Sequence, residues 1–141
     1  MTPESLRAEG WIVLKADGFS GLAGTFWTRG SGAELGLGFL AEPQHRNGHM
    51  DSVHGGMLLT FADICLGYAV TQVLGGTHCV TAQLQMHFVS AARVGDFVSC
   101  RPEVVRHSAQ LVFMRGLIRA GERTVASVDG IWKILEPRPQ S

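Results

Sequence analysis

The longest apolar segment of the chain covers residues 57–74 and reads MLLTFADICLGYAVTQVL. It contains no proline and is apolar around nearly all of its circumference when drawn as a helix, so it predicts a helix buried on most sides. His54-Gly55-Gly56 precede it and Gly75-Gly76 follow it, where glycine can adopt the left-handed conformation that ends a helix. At about 1.5 Å per residue this helix would be roughly 30 Å long.

After the helix, the period of the apolar positions changes. Apolar residues at 80, 82, 84, 86 and 88 alternate with polar residues at 81, 83, 85 and 87. This alternation predicts a half-buried strand with one polar face over residues 79–89. Three further strands are predicted over residues 97–105, 110–119 and 124–135, and Pro102 places an edge or a bulge in the first of them.

The segments before the helix are shorter. They predict a short helix or lead-in over residues 1–9, an apolar run at 11–14, a glycine-rich turn at 18–24, a hairpin of 25–28 with 34–40 that turns at 30–32, and a polar loop over 41–53. Residues 137–139 predict a loose tail.

Together these elements favour an α+β fold, in which an antiparallel sheet wraps around one long central helix. Helix and strands are segregated along the chain, whereas a parallel sheet would require them to alternate. The chain has 141 residues, of which 45% are hydrophobic, and no repeat or linker divides it. We therefore expect a single domain over residues 1–141.

The charge balance limits the possible partners. Twelve Lys and Arg residues balance twelve Asp and Glu residues, so no basic excess indicates nucleic acid or an anionic membrane surface. A membrane span is not expected, because the long apolar segment is interrupted by polar residues, namely Thr60, Asp63, Thr71 and Gln72. Near-zero net charge combined with a high apolar content favours self-association.

The same reasoning predicts a cytoplasmic protein. Residues 1–7 have neither the basic start nor the apolar run of a secretory signal. Cys65, Cys79 and Cys100 are odd in number and widely spaced, which suits small buried residues in a reducing compartment better than a disulfide framework.

The candidate chemistry centres on Asp63 and on the start of its helix. A carboxylate within a strongly apolar helix is costly to bury unless it is paired or has a chemical role. Glycines at the helix start expose unpaired N–H groups at the positive end of the helix dipole, and such donors can stabilise an oxyanion. Structural readings also exist: Asp63 can be a hydrogen-bonding core residue, and Gly55-Gly56 can form a tight turn.

The sequence resembles the hotdog-fold thioesterases of the phenylacetic-acid-degradation type. The resemblance consists of His54-Gly55-Gly56, an aspartate nine residues after the histidine, the alternating strand, and the turn SAARVGD at residues 90–96, and it extends over about residues 34–134. It implies a hotdog fold and hydrolysis of an aromatic or medium-chain acyl-CoA. Asp63 would be the general base or the nucleophile, and the backbone N–H of Gly55 would polarise the thioester carbonyl.

The spacing of these two groups has a consequence for assembly. Eight residues of helix separate Gly55 from Asp63, which corresponds to about 12 Å along the axis. One thioester carbonyl cannot contact both groups within a single subunit, so two antiparallel helices related by a two-fold axis would have to supply them. The resemblance implies this homodimer with two active sites, and a homotetramer is expected because hotdog dimers commonly pair.

The resemblance also implies several secondary site residues. Thr81 would hold the attacking water or Asp63, and His54 would orient the loop or contact the thioester; each can equally be a structural residue. Asn47 corresponds to an asparagine before the glycines, although the spacing is one residue longer and Asp51 could fill part of that space. Substrate contacts are expected from Gly56 and, at the phosphates of CoA, from basic residues, namely Arg93, Arg106 and His107.

No metal and no cofactor are expected. His45, His49, Asp51 and His54 form a polar cluster in a loop, but no cysteine joins it and no glutamate stands where a zinc hydrolase would need one. No dinucleotide-binding, phosphate-binding or serine-hydrolase motif is present. Two alternatives stay open: a non-catalytic acyl-CoA-binding domain and an enoyl-CoA hydratase.

Overall fold

A computed structural model describes residues 1–136, so the predicted tail at residues 137–139 lies outside the described residues. The long helix, α3, covers Gly55–Val73. His54 is its N-cap, and Gly75 and Gly76 have φ angles of 65° and 96° just after its end. The predicted helix and both of its glycine boundaries are confirmed.

The remaining elements are one antiparallel sheet, two short α-helices, and two single-turn 3₁₀ helices at Gly32–Glu34 and Pro43–His45. The α-helices are α1 (Pro3–Ala8) and α2 (Gly18–Ala23), and the strands are β1 (Ile12–Val13), β2 (Phe26–Arg29), β3 (Gly36–Leu40), β4 (Cys79–Phe88), β5 (Phe97–Cys100), β6 (Glu103–His107), β7 (Leu111–Ala120) and β8 (Arg123–Ile134). The strand order is β1-β2-β3-β5-β7-β8-β4, and β6 continues β5 along the same edge of β7. This architecture confirms the predicted α+β class.

The core lies between α3 and the inner face of the sheet. Seven side chains of α3 are buried there, namely Leu58, Phe61, Ala62, Cys65, Leu66, Ala69 and Val70. Phe61 packs against Phe39 and Phe26, with ring centroids 5.0 Å and 6.2 Å apart. By length and composition alone α3 is apolar enough to cross a membrane, but its buried side chains pack against the sheet as in a core helix.

The prediction that α3 is buried on most sides is wrong for this protomer. Asp63, Ile64, Gly67 and Tyr68 are only partly covered, because they face the side of the sheet where β4 forms the edge. One face of the helix is therefore open beside an edge strand.

The predicted turn at residues 18–24 is also wrong, because most of this segment forms α2. Gly18 and Gly24 have φ angles of 61° and 154°, so the glycines lie at the two ends of the segment and redirect the chain there. The residues between them form a short helix that lies against α3. A glycine count cannot distinguish a turn from a short helix bounded by glycines.

A β-bulge in β4 changes which residues face α3. Thr81 pairs with Trp132 and Gln83 with Ile131, so Ala82 is an extra residue in the ladder between β4 and β8. Uninterrupted alternation would place Thr81 on the face opposite to Leu84 and away from the helix. The bulge shifts the phase by one residue, and Thr81 therefore faces α3, which corrects the predicted polar face.

Candidate active site

Asp63 and Thr81 are in direct contact. The hydroxyl of Thr81 donates a hydrogen bond of 2.5 Å to Oδ1 of Asp63. Asp63 comes from the middle of α3, whereas Thr81 is presented by the bulged part of β4. Because one carboxylate oxygen is oriented by the threonine, the other is available to a water molecule or a substrate.

The pair opens onto a cavity of about 450 Å³ between α3, β4, β8 and the segment around α2. Its walls combine apolar, aromatic and polar groups, contributed by Leu14, Lys15, Ala16, Asp17, Ser20, Phe26, Asp63, Ile64, Gly67, Tyr68, Thr71, Cys79, Thr81 and Trp132. A cavity of this size, with apolar and aromatic walls beside a carboxylate, fits a small or medium-sized acyl group.

Cys79 is another potential nucleophile in this cavity. Partial burial raises the pKa of its thiol, a hydrogen bond with Thr71 opposes the shift, and the charge of Asp63 adds to the increase. The thiol therefore stays protonated at neutral pH, and a protonated thiol is a poor nucleophile. Asp63 is the stronger candidate for chemistry.

The start of α3 is organised by His54 and the two glycines. Nδ1 of His54 accepts a hydrogen bond of 2.8 Å from the N–H of Gly56. A Cβ at residue 56 would lie 2.9 Å from that nitrogen, so the cap requires glycine there. Within the described residues the N–H of Gly55 has no hydrogen-bond acceptor, and the ring of Phe88 lies beside it. The helix start thus presents one unpaired donor at its positive end.

The two candidate centres are separate within the protomer. Asp63 and Thr81 line the 450 Å³ cavity, whereas Gly55 and His54 are not among its lining residues. Eight residues of regular helix keep Gly55 and Asp63 about 12 Å apart along the axis. The geometry agrees with the deduction that one protomer cannot bring both groups to one carbonyl.

Arg93 lies next to the helix start, although it is 38 residues away in sequence from Gly55. It forms an isolated bridge with Ser52, and the N–H of Val53 donates to the carbonyl of Ala92. Asp96 accepts hydrogen bonds from the N–H of Arg93 and from the guanidinium of Arg123. The structure thus holds the turn of residues 90–96 beside the unpaired donor of Gly55.

Arg106 and His107 lie elsewhere. They end β6, where His107 pairs with Val112 of β7, whereas Arg123 pairs with Ala120 at the other end of β7. Val112 and Ala120 are eight residues apart on β7, which corresponds to about 26 Å along the strand. Within one protomer, the structure does not bring Arg106 and His107 together with Arg93.

Asn47 and the polar cluster before the helix form a structured loop. The N–H of Asn47 donates to the carbonyl of Ser52, and the Asn47 side chain does not line the cavity. His45 is buried; Nδ1 accepts from the N–H of Glu42, and Nε2 donates to the carbonyl of Ala23. Both ring nitrogens are thus occupied by the backbone. Among residues 1–136, no three His, Cys, Asp or Glu side chains form a metal-binding group.

Comparison with known proteins identifies the family. The sequence profile of the thioesterase superfamily matches residues 50–127, which include Asp63 and Thr81. A Pseudomonas aeruginosa protein named as a candidate esterase, PA0474, is 32% identical over 115 residues, covering 80% of this chain and 85% of that protein. The chain belongs to the thioesterase superfamily. Hotdog thioesterases are thus its relatives, as the helix motif predicts.

Solved structures confirm the hotdog fold of this thioesterase-superfamily chain. Conserved protein PA5202 from Pseudomonas aeruginosa has a TM-score of 0.77 at 21% identity, covering 85% of this chain and 95% of that one. The E. coli PaaI protein from the phenylacetic acid degradation operon has a TM-score of 0.68 at 21% identity, covering 96% and 86%. BH2602 from Bacillus halodurans, solved with CoA, has a TM-score of 0.66 at 24% identity, covering 71% and 66%. The PaaI structure supports the predicted type.

Sequence reasoning missed several cavity residues of this family member. Trp132 lies beside Thr81, because the two residues are register partners in β4 and β8. Gly67 and Tyr68 follow Asp63 by about one helical turn and line the same cavity. The helical spacing from Asp63 could have indicated Gly67, but the position of Trp132 depends on a strand register that the sequence does not reveal.

Proposed function

We propose that this protein is an acyl-CoA thioesterase that hydrolyses aromatic or medium-chain acyl-CoA to the free acid and CoA. The hydrogen bond between Thr81 and Asp63 at the mouth of the 450 Å³ cavity carries the proposal. In the general-base route, Asp63 takes a proton from water while the water oxygen attacks the thioester carbonyl carbon. The carbon–sulfur bond then breaks, and the departing CoA thiolate receives the proton.

A nucleophilic route uses the same residues. Asp63 would attack the carbonyl carbon, expel CoA thiolate and form a mixed anhydride, which water would then hydrolyse. In both routes the Gly55 N–H of the partner subunit would stabilise the developing oxyanion. The unpaired state of this N–H within the described residues supports that role.

A homodimer is proposed as the active unit, with one hotdog domain over residues 1–141 in each subunit. β4 forms an edge of the sheet, and its Val80 and Phe88 side chains are 46% and 56% exposed. An exposed ten-residue edge strand favours pairing with another strand. If β4 pairs with its copy across a two-fold axis, the two α3 helices, each with one open face, would lie antiparallel to one another. Two such dimers are proposed to form a homotetramer.

CoA is proposed to bind near the start of the partner's α3. Arg93 supports this placement because its turn is held beside Gly55 and its guanidinium forms no ion pair within the described residues. The CoA bound to the related fold of BH2602 is consistent with the ligand class. Gly56, His54 and Asn47 would shape this end of the site, whereas Arg106 and His107 would have to contact CoA from the other end of the sheet. The three unbridged cysteines support a cytoplasmic location.

The first test is direct loss of thioester absorbance with acetyl-, hexanoyl-, octanoyl-, benzoyl- and phenylacetyl-CoA. We expect hydrolysis of at least one of the longer or aromatic substrates. Absorbance is preferable to a thiol reagent because Cys79 lines the cavity. Binding without turnover of any acyl-CoA would favour a non-catalytic acyl-CoA-binding domain. Water addition to crotonyl-CoA without release of CoA would favour an enoyl-CoA hydratase.

Thr81→Val is expected to lower kcat by about 10–100-fold with little change in KM, because a hydrogen bond to a charged group is worth about 1.5–3 kcal/mol. Valine keeps the shape of the side chain but cannot hold the Asp63 carboxylate. Thr81→Ser retains the hydroxyl and is expected to keep most of the activity. Steady-state kinetics of both variants check the prediction, and equal rates for valine and serine would contradict it.

A further inference from the structure

The indole of Trp132 lines the cavity that contains Asp63, and its N–H lies beside Gly67. Trp132 is only 1% exposed, and its Nε1 donates no hydrogen bond to another residue in the described part of the chain. No fully enclosed side-chain nitrogen or oxygen within residues 1–136 lacks a partner, so this nitrogen is not sealed inside the core. The Trp132 side chain belongs to the lining of the 450 Å³ cavity, and so does Gly67.

Gly67 keeps the space beside this N–H open. A Cβ at residue 67 would lie 3.3 Å from Nε1 of Trp132, closer than most side-chain contacts. Glycine in the middle of a helix is less favourable than alanine, so its presence here sacrifices helix stability. The missing side chain leaves room for a ligand atom at the position where it could accept a hydrogen bond from the indole.

The position of the donor relative to Asp63 limits the ligand. Gly67 follows Asp63 by four residues, so both lie on one face of α3 and are about 6 Å apart along the axis. When the thioester carbonyl carbon of an acyl group lies at Asp63, the acyl atom roughly four bonds away from it would lie at the indole N–H. The charged residues that line the cavity are two anions, Asp63 and Asp17, and one cation, Lys15, so a neutral oxygen fits better than a carboxylate.

We propose that Trp132 and Gly67 form a specificity subsite for acyl groups that carry a neutral oxygen acceptor, such as a 4-oxo group, about four bonds from the thioester carbonyl. The proposal rests on the proposed thioesterase function. A site built around a hydrogen-bond donor discriminates against an analogue that lacks the acceptor, because binding of that analogue leaves the donor unpaired.

The experiment compares 4-oxopentanoyl-CoA with 4-methylpentanoyl-CoA, which has nearly the same shape but no acceptor. We expect wild type to prefer the oxo substrate by about 5–10-fold in kcat/KM, as a single hydrogen bond allows. Trp132→Phe is expected to reduce this ratio to about one. Trp27→Phe removes a different buried indole, in the cluster with Leu6 and Trp11, and should keep the wild-type ratio.

Gly67→Ala provides a second variant in case Trp132→Phe does not fold. It retains the indole but narrows the subsite, so it should lower kcat/KM for both the oxo and the methyl substrate relative to acetyl-CoA. Dissociation constants measured calorimetrically with Asp63→Asn protein should show the same preference without turnover. Equal binding of the two ligands, or an unchanged ratio in Trp132→Phe, would overturn the subsite. Absence of hydrolysis together with the binding preference would contradict only the proposed function.

Discussion

Replacing Asp63 by asparagine is expected to lower kcat for acyl-CoA hydrolysis by about 10²–10⁴-fold, the range typical for loss of a general base. Asparagine has nearly the same shape as aspartate, and its Oδ1 can still accept the hydrogen bond from Thr81. The amide can neither take a proton from water at neutral pH nor form the mixed anhydride. The variant should therefore keep its fold and its affinity for acyl-CoA while losing turnover.

The matched control for this variant is Asp129→Asn. Asp129 is an exposed residue of β8 that lies opposite Arg115 of β7 in the strand register. It does not line the Asp63 cavity. Its replacement should leave kcat within about twofold of wild type, as for most surface changes. Turnover of Asp63→Asn within tenfold of wild type, with an unchanged thermal melting curve, would refute the assignment. Acyl groups retained on Asp63 after acid quenching would distinguish the nucleophilic route from the general-base route.

The sequence predicts the central helix and its carboxylate because their signals are local. Residues 57–74 are apolar over a length that only a helix would occupy in a domain of this size, and glycines mark both ends. Asp63 is conspicuous because it interrupts that segment. The spacing from His54 to Asp63 also follows directly from the sequence.

The cavity could not be predicted in the same way, because it depends on strand register. Alternation alone assigns Thr81 to the face away from α3, and one extra residue at Ala82 reverses this assignment. Trp132 enters the site only because it pairs with Thr81 across β4 and β8. The sequence contains no strong signal for this bulge, since Ala82 is neither glycine nor proline.

The candidate residues for binding the phosphates of CoA could not be ranked from the sequence for a related reason. The candidates are basic residues near the ends of predicted strands, namely Arg93, Arg106 and His107. Their positions in the sequence do not show which of them lie close together. The antiparallel ladder separates them, because Arg93 lies beside the start of α3 and His107 pairs near the start of β7. Only the sheet topology reveals which of them is close to Gly55.

Gly55→Pro is expected to lower kcat by about 10²–10³-fold, the cost of removing one oxyanion-hole donor. Proline lacks the N–H but is well tolerated at the first position of a helix. His54 has φ −61° and ψ 136°, the extended conformation favoured before proline. Gly55→Ala is the matched control, because its Cβ makes the same contact with Phe88 and the N–H is retained.

Mixing the two inactive variants tests whether each site uses groups from two subunits. In a mixed dimer of Asp63→Asn and Gly55→Pro subunits, one site would combine the intact Asp63 of one chain with the intact Gly55 of the other. Random exchange makes half of the dimers mixed, each with one working site, so about one quarter of wild-type activity should return. Differently tagged subunits and native mass spectrometry would quantify the mixed dimer. If mixed dimers form without recovery of activity, Asp63 and Gly55 do not act across a two-fold axis, and the proposed shared site is wrong.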